Sequence, residues 1–480
     1  MPLKNDAAPY LSLKLKNAGK VCVALLIILL IASVYYFKER MLFIDAPHIL
    51  FRIVNDAHLQ ITDFRYGSFV TQLFPLVAAR LHLPLSGLMI IYSASFYLFF
   101  IAIMLLLVYK FRNNGLAVLF GLYLTLFVSD TFFWPNNEIH QGISWLLLAF
   151  ALHFSLAKTS LVSVIPVFTA SFFLAIWTHP LVMLIAVYLW GFFIIDKSQW
   201  PYPRKQTMLY SLILLGLAYC KFYQGQHHGY DSGKIELVTL FQAQKLKTIF
   251  SAPQFHFFIK GCVTNYWLLI LISVAGVIGV IKEKKYLLLV WVAAFGTGYL
   301  LLLTITYWDV HSNRFYMESE YMPLSIICAA PFVYYVLPKL NNRVSVVLLA
   351  LIFCIRLGYI HHAAEKFSAR IALLENISTK MKEKGLHKIV ITNAGATDST
   401  LIMNWGAPVE SILISGLKHE APQSTFIFLD STQMKTFSTS SKDTLLGCFE
   451  KRDANQLNTR YFQLDTTVSY QAISFAELMK

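Results

Sequence analysis

Long uncharged apolar runs alternate with short polar segments over the first 360 residues. Eleven runs begin near Val21, Leu88, Leu116, Gly142, Leu161, Pro180, Thr207, Cys262, Tyr286, Tyr321 and Val344. A helix needs about 20 apolar residues to cross bilayer hydrocarbon, and these runs reach or approach that length. The pattern predicts eleven transmembrane helices, the fourth to sixth of them short. The first run follows Lys4, Lys14, Lys16 and Lys20 and continues into Tyr35-Tyr36-Phe37-Lys38 without a small-residue cleavage site. It reads as an uncleaved anchor, not a signal peptide.

The long polar loop from Lys38 to Gly87 has helical periodicity of its own. Asp45, His48, Arg52 and Asn55/Asp56 recur on one face, opposite Ile49, Leu50, Ile53 and Ala57. This predicts an amphipathic helix from about Asp45, lying on the membrane surface or against the bundle. Thr71–Leu83 is a second such segment. Asp45 also suits a helix N-cap, with Pro47 in the first turn.

From His361 onward the apolar runs stop. Ile371–Lys384 reads as a helix, Lys388–Thr392 and Thr425–Leu429 as strands, and Asp398–Trp405 as a helix between them. The chain therefore divides into a membrane bundle (1–360) and a small α/β domain (361–480). The turn Asn393-Ala394-Gly395-Ala396-Thr397 could seat a phosphate at a helix start, although most such turns only connect. No solenoid repeat or inverted-repeat symmetry stands out.

Composition agrees with this reading. Hydrophobic residues make up 57% of the chain and charged ones only 14%, against roughly 25% charged in a soluble domain. That excludes a disordered chain, a disulfide scaffold and an ordinary soluble enzyme. The six cysteines (Cys22, Cys220, Cys262, Cys328, Cys354, Cys448) are scattered and specify neither disulfides nor a metal site. Net charge is +14, but residues 361–480 hold 13 basic and 12 acidic residues, so the excess sits on the bundle.

There it sorts by side. With the N-terminus in the cytoplasm, the cytoplasmic turns carry Lys110/Arg112, Lys158, Lys197/Arg204/Lys205, Lys282/Lys284/Lys285 and Lys339/Arg343, as the positive-inside bias requires. Most acids fall on the other side, and eleven crossings put the C-terminus outside. The charge is a topology signal and gives no reason to expect nucleic acid as a partner.

Four outward segments concentrate polar residues. The first loop supplies Asp45, His48, Arg52, Asp56, Asp63 and Arg65, although Asp63-Phe64-Arg65 also fits a turn with a local ion pair. The second is Trp134-Pro135-Asn136-Asn137-Glu138-Ile139-His140-Gln141, richer in Glu, His and Gln than a tight turn needs. The third is Trp177-Thr178-His179-Pro180. The fourth runs from Tyr307 to Tyr321 and includes His311, Arg314, Tyr316, Glu318 and Glu320. Its single guanidinium suits a phosphate at the membrane surface. A further loop, Gln226-His227-His228-Gly229-Tyr230-Asp231, has a His pair and an Asp but no third metal ligand at a recognisable spacing.

This arrangement resembles the GT-C superfamily of membrane glycosyltransferases. The likeness rests on an anchor helix followed by a long outer loop opening on Asp45, the turn with Glu138 and His140, the His179-Pro180 turn, and Arg314-Phe315-Tyr316 before a late helix. It implies transfer of a sugar from a polyprenyl-phosphate donor to a glycan, lipid or protein acceptor. The location implied is the cell envelope, in a bacterial inner membrane, with the site and the C-terminal domain outside the cytoplasm. Asp45 or Asp56 would be the catalytic base. His48, Arg52, Arg65, Glu138, His140, His179, Arg314 and Tyr316 would bind substrates. Asp45 is followed by Ala46-Pro47, not by the second acid of the family's pair, so a divalent metal stays an open candidate cofactor and its ligands are unassigned. Two alternatives remain: an O-antigen ligase or polymerase, or a transporter or other non-enzymatic polytopic protein. A transporter would place ionisable groups at mid-bilayer depth, where these helices are nearly clean.

Overall fold

The computed structural model describes residues 14–157, 159–198, 200–227, 229, 232–233, 243–309, 313–392, 395, 398–429, 442–447 and 451–480. Several residues named above lie outside the described set: Lys4, Lys158, His228, Tyr230, Asp231, His311, Cys448 and all of the 393–397 turn but Gly395.

Each of the eleven apolar runs is helical. In chain order the helices are α1 (Lys16–Tyr35), α2 (Phe37–Met41), α3 (Asp45–Asp56), α4 (Phe69–Arg80), α5 (Leu85–Leu105) and α6 (Asn114–Leu126). Then come α7 (Glu138–Ser155), α8 (Leu161–Ile176), α9 (Pro180–Asp196), α10 (Arg204–His227), α11 (Pro253–Thr264) and α12 (Trp267–Lys282). The bundle closes with α13 (Tyr286–Thr306), α14 (Arg314–Tyr321), α15 (Leu324–Tyr335) and α16 (Asn342–Glu383). Among the described residues α1, α5 extended to Lys110, α13 and α16 are long and apolar enough to cross a membrane. The pairs α11–α12 and α14–α15, bent by 85° and 50°, raise that number to six if each is one span. Helices α6, α8 and α9 have 13, 16 and 17 residues. At 1.5 Å per residue they measure about 20–25 Å, short of the hydrocarbon thickness, and every residue of α6 is buried.

The connections gather at two ends. At one, Lys14 donates to the Pro338 carbonyl, Lys339 pairs with Glu283, and Lys285 lies 3.9 Å from Asp196. At the other, Tyr36 bonds His361, Arg40 bonds Ser93, and Lys366 pairs with Asp130. The first is the basic end and the second carries the cleft described below.

The C-terminal region grows out of the cleft end. α16 is a single 42-residue helix without an interrupting proline, so the segment expected as a separate helix at Ile371–Lys384 is its last part, and position 361 falls within it. Next come β1 (Lys388–Thr392), α17 (Ala407–Leu417), β2 (Thr425–Phe428), β3 (Thr444–Leu446), β4 (Lys451–Asp453) and β5 (Gln471–Ser474). β1 is the centre of a parallel sheet ordered β2-β1-β5, with Ile389 opposite Phe426 and Val390 opposite Ala472. Its buried Lys-Ile-Val-Ile run suits a strand covered on both faces. β3 and β4 form a separate antiparallel ribbon. The helix expected at Asp398–Trp405 shortens to Asp398–Leu401, and α17 follows it. α17 was not foreseen: its Val and Ile residues carry no clear helical signal. It packs on β2 and also on α3, α5 and α16. One buried apolar cluster runs from Leu15 through the bundle to Leu478.

Candidate functional site

α3 forms because Pro47 falls in its first turn and its apolar stripe has something to cover. Leu50, Phe51, Ile53 and Val54 are buried, and Phe51 meets Phe462 of the C-terminal region at 4.7 Å. Asp45 is the first helical residue and not the N-cap. That position falls to Ile44, with φ 46°, and no side chain caps the helix. The Asp45 carboxylate instead accepts a hydrogen bond from Trp134 Nε1 at 2.6 Å. Burial pushes its pKa up to about 6; the Trp134 bond and the Arg65 charge oppose this, while Glu138 reinforces it. A carboxylate so placed is ionised at neutral pH yet ready to take a proton, as general-base chemistry requires.

Asp45 opens onto a cleft of about 350 Å³ at the end of the bundle. His48 and Arg52 line it from α3, with Asp63 and Arg65 from the following loop. Trp134, Asn136, Asn137 and Glu138 come from the α6–α7 connection, and His179 from the start of α9. Arg65 donates to Glu138 at 2.8 Å, tying the first loop to α7. His179 caps α9 by accepting the Leu181 amide on Nδ1 at 3.2 Å, ahead of Pro180 at the first helical position. Gly67 makes the loop's close approach possible, since a Cβ there would lie 1.8 Å from Thr178 Oγ1.

Sequence reasoning assigned no role to several other lining residues. Tyr307, Ser319 and Glu320 flank Tyr316, whose ring meets Trp134 at 5.6 Å. Trp405 arrives from the C-terminal region and faces His48 edge-on at 6.4 Å. No local pattern marks Trp405, because its relevance depends on contacts made across 357 residues of chain.

The support beneath the cleft is polar and buried. Glu318 is fully buried and accepts the backbone N–H groups of Ser129, Asp130 and Thr131 at 2.9, 3.1 and 2.7 Å. The hydroxyls of Ser129, Thr131 and Tyr266 also donate to it. Arg356 donates to the carbonyls of Thr125, Val128 and Asn265, closing the C-terminal end of α6. These bonds fix the turn that leads to Trp134.

Three expected site residues lie elsewhere. Asp56 is bound in two places by Arg452, with Asn55 also donating to it and Arg52 at 3.9 Å. Burial works against its charge, but the bonds from Arg452 and Asn55 outweigh it and hold the carboxyl below its ordinary range. It fastens α3 to β4. His140 is buried on α7 between the rings of Phe100 and Tyr123. Arg314 begins α14 and is not among the residues lining the cleft; its charge acts on Asp130 and Arg356. Among the described residues no group of three His, Cys, Asp or Glu side chains is arranged to hold a metal ion. No family model, curated protein or solved structure matches the chain.

Proposed function

We propose that the protein is an integral-membrane glycosyltransferase of the GT-C type, moving a sugar from a polyprenyl-phosphate donor to an acceptor hydroxyl outside the cytoplasm. The observation that carries this reading is the convergence on one cleft of Asp45, Trp134, Arg52, Arg65, Glu138, His179 and Tyr316. They come from five separate segments and meet at the end of a bundle of apolar helices. A lipid-linked donor requires that placement, since its tail stays in the bilayer while its sugar is handled at the surface. The exposed apolar stripe of α4, Leu73, Phe74 and Val77, supports a helix lying at that surface.

In this reading Asp45 accepts the proton of the acceptor hydroxyl as its oxygen attacks the anomeric carbon. The bond from that carbon to the phosphate oxygen breaks, and the electron pair leaves with the polyprenyl phosphate. Arg52 and Arg65 offset the charge that develops there, the role that sequence reasoning gave to Arg314. Trp134 holds the carboxylate, and the rings of Tyr307, Tyr316 and Trp405 offer faces for the sugar. A divalent metal stays a candidate cofactor, since one or two carboxylates of the cleft together with the donor's phosphate suffice for magnesium. For topology, the cluster of lysines at the basic end supports a cytoplasmic N-terminus and a cleft on the outer side.

The test uses purified protein in lipid nanodiscs with a panel of polyprenyl-phosphate hexoses and pentoses, read as release of polyprenyl phosphate. Release by wild type that falls about 10²–10⁴-fold in Asp45→Asn, as loss of a general base does, is the expected result. Full release by Asp45→Asn would remove the base from Asp45. No release from any donor would remove the class.

A further inference from the structure

Asp45 is held by a part of the chain that is far away in sequence. The residue before it, Ile44, has φ 46° and ψ −97°. A β-branched residue avoids positive φ and keeps it only when the surroundings impose it. What imposes it is buried and polar. The Ile44 amide donates to Glu410 Oε1 on α17 at 2.9 Å. Glu410 Oε2 in turn takes a bond from Arg370 Nη2 on α16 at 2.6 Å, and both side chains are at most 1% exposed.

Arg370 then bonds both sides of the junction. Its Nη1 donates to the Leu42 carbonyl at 2.7 Å, three residues before Asp45. Its Nε and Nη2 donate to the carbonyls of Leu401 and Met403 at 2.8 and 3.1 Å, just ahead of Trp405. Gly406 completes the clamp by close approach. A Cβ there would stand 2.5 Å from Glu410 Oε1 and 3.1 Å from Ile44 Cα, so the start of α17 presses directly on the turn.

We propose that Glu410 and Arg370 are positioning residues for the reaction: together they fix the Leu42–Asp45 turn so that the Asp45 carboxylate meets Trp134 and faces the cleft. This rests on the reading of Asp45 as the base, and it gives the C-terminal region a direct part in the chemistry. An ordinary buried ion pair would stabilise the fold and leave Asp45 alone. This pair bonds the Leu42 carbonyl and the Ile44 amide, the turn that leads directly into Asp45.

The test is the double variant Glu410→Leu with Arg370→Met in the full-length protein. Replacing both partners leaves no unpaired buried charge, which is commonly tolerated, while Ile44 loses its acceptor. Two readouts follow. The first is kcat for sugar transfer, expected to fall about 10²-fold, the scale of a 1 Å misplacement, with KM values within about threefold. The second needs no turnover: coupling of Asp45 to an amine by a water-soluble carbodiimide, followed by peptide mass spectrometry between about pH 5 and about pH 8. The half-labelling pH of Asp45 should move by about one unit towards the ordinary carboxylate range as the turn relaxes. A folded double variant with wild-type kcat and an unmoved labelling midpoint overturns the proposal. If the double variant does not accumulate, Gly406→Ala decides by the same readouts, since it keeps both charges and displaces the turn. If wild type transfers no sugar, the glycosyltransferase reading fails, and the labelling midpoint still decides whether the pair sets Asp45.

Discussion

One ion pair at each end of the bundle shows how differently a charge can be placed. At the basic end Lys339 and Glu283 pair with side chains 49% and 44% exposed, over a separation of 56 residues. At the cleft end Arg370 and Glu410 are at most 1% exposed, and Glu410 reaches Ile44 across 366 residues. Exposed pairs contribute at most about 1 kcal/mol. A buried pair broken on one side leaves a stranded charge and costs about 3–5 kcal/mol. The exposed pair adds little to the fold; the buried pair fastens distant segments around a cleft.

Substitutions can break or sharpen that contrast. The largest effect expected is from Arg370→Ala, which strands Glu410 and frees the carbonyls of Leu42, Leu401 and Met403; loss of about 3–5 kcal/mol should deplete the folded protein in detergent. Asp45→Asn should move stability the other way. Asp45 ionises at a higher pH in the folded chain, about 6, than its ordinary 3.8. The native state is therefore favoured while the proton is bound at low pH, and it loses that advantage as pH rises through about 6. Asp45→Asn should melt no lower than wild type at about pH 8, gaining at most about 3 kcal/mol, and the difference should vanish below about pH 4. A lower melting temperature at the higher pH would show that the carboxylate is structural. Glu318→Gln should cost about 1.5–3 kcal/mol, because the three N–H groups of the 129–131 turn lose their charged acceptor; thermal unfolding in detergent measures it. Lys339→Met should change the melting temperature least, by less than about 1 kcal/mol in free energy. A cost there equal to that of Arg370→Ala would erase the distinction.

How much of this was legible depends on whether a residue's role is set by its neighbours in sequence. Asp45, His48 and Arg52 recur at helical spacing, so their shared face could be read directly, and all three line the cleft. His179 before Pro180 is a local helix-start signal, and the structure uses it as a cap. Asp56 sits on the same stripe, yet Arg452 takes it, and no sequence period encodes that partner. Arg314 looked suited to the cleft because it was the single Lys or Arg of its segment, but it is not among the residues lining the cleft, and its charge acts on Asp130. Glu410 gave no sign at all. A glutamate between Val409 and Ser411 resembles any helix residue until folding brings Ile44 to it. Helix lengths had a similar limit: hydropathy located every apolar run, but α6 is buried on all sides, and burial in protein looks like burial in lipid to a composition count.

The bond between Ile44 and Glu410 also sets a schedule. A ribosome adds roughly 5–20 residues per second, so the turn before Asp45 leaves the ribosome on the order of 20–70 s before Glu410 has been made. Through that interval the membrane helices can insert and associate, while the turn before Asp45 is without its Glu410 acceptor. An interrupted chain ending anywhere before α17 therefore lacks the acceptor that holds the turn before Asp45. If Asp45 is the base, a product cut before α17 is expected to be inactive in the membrane, because the turn that sets the carboxylate lacks its acceptor.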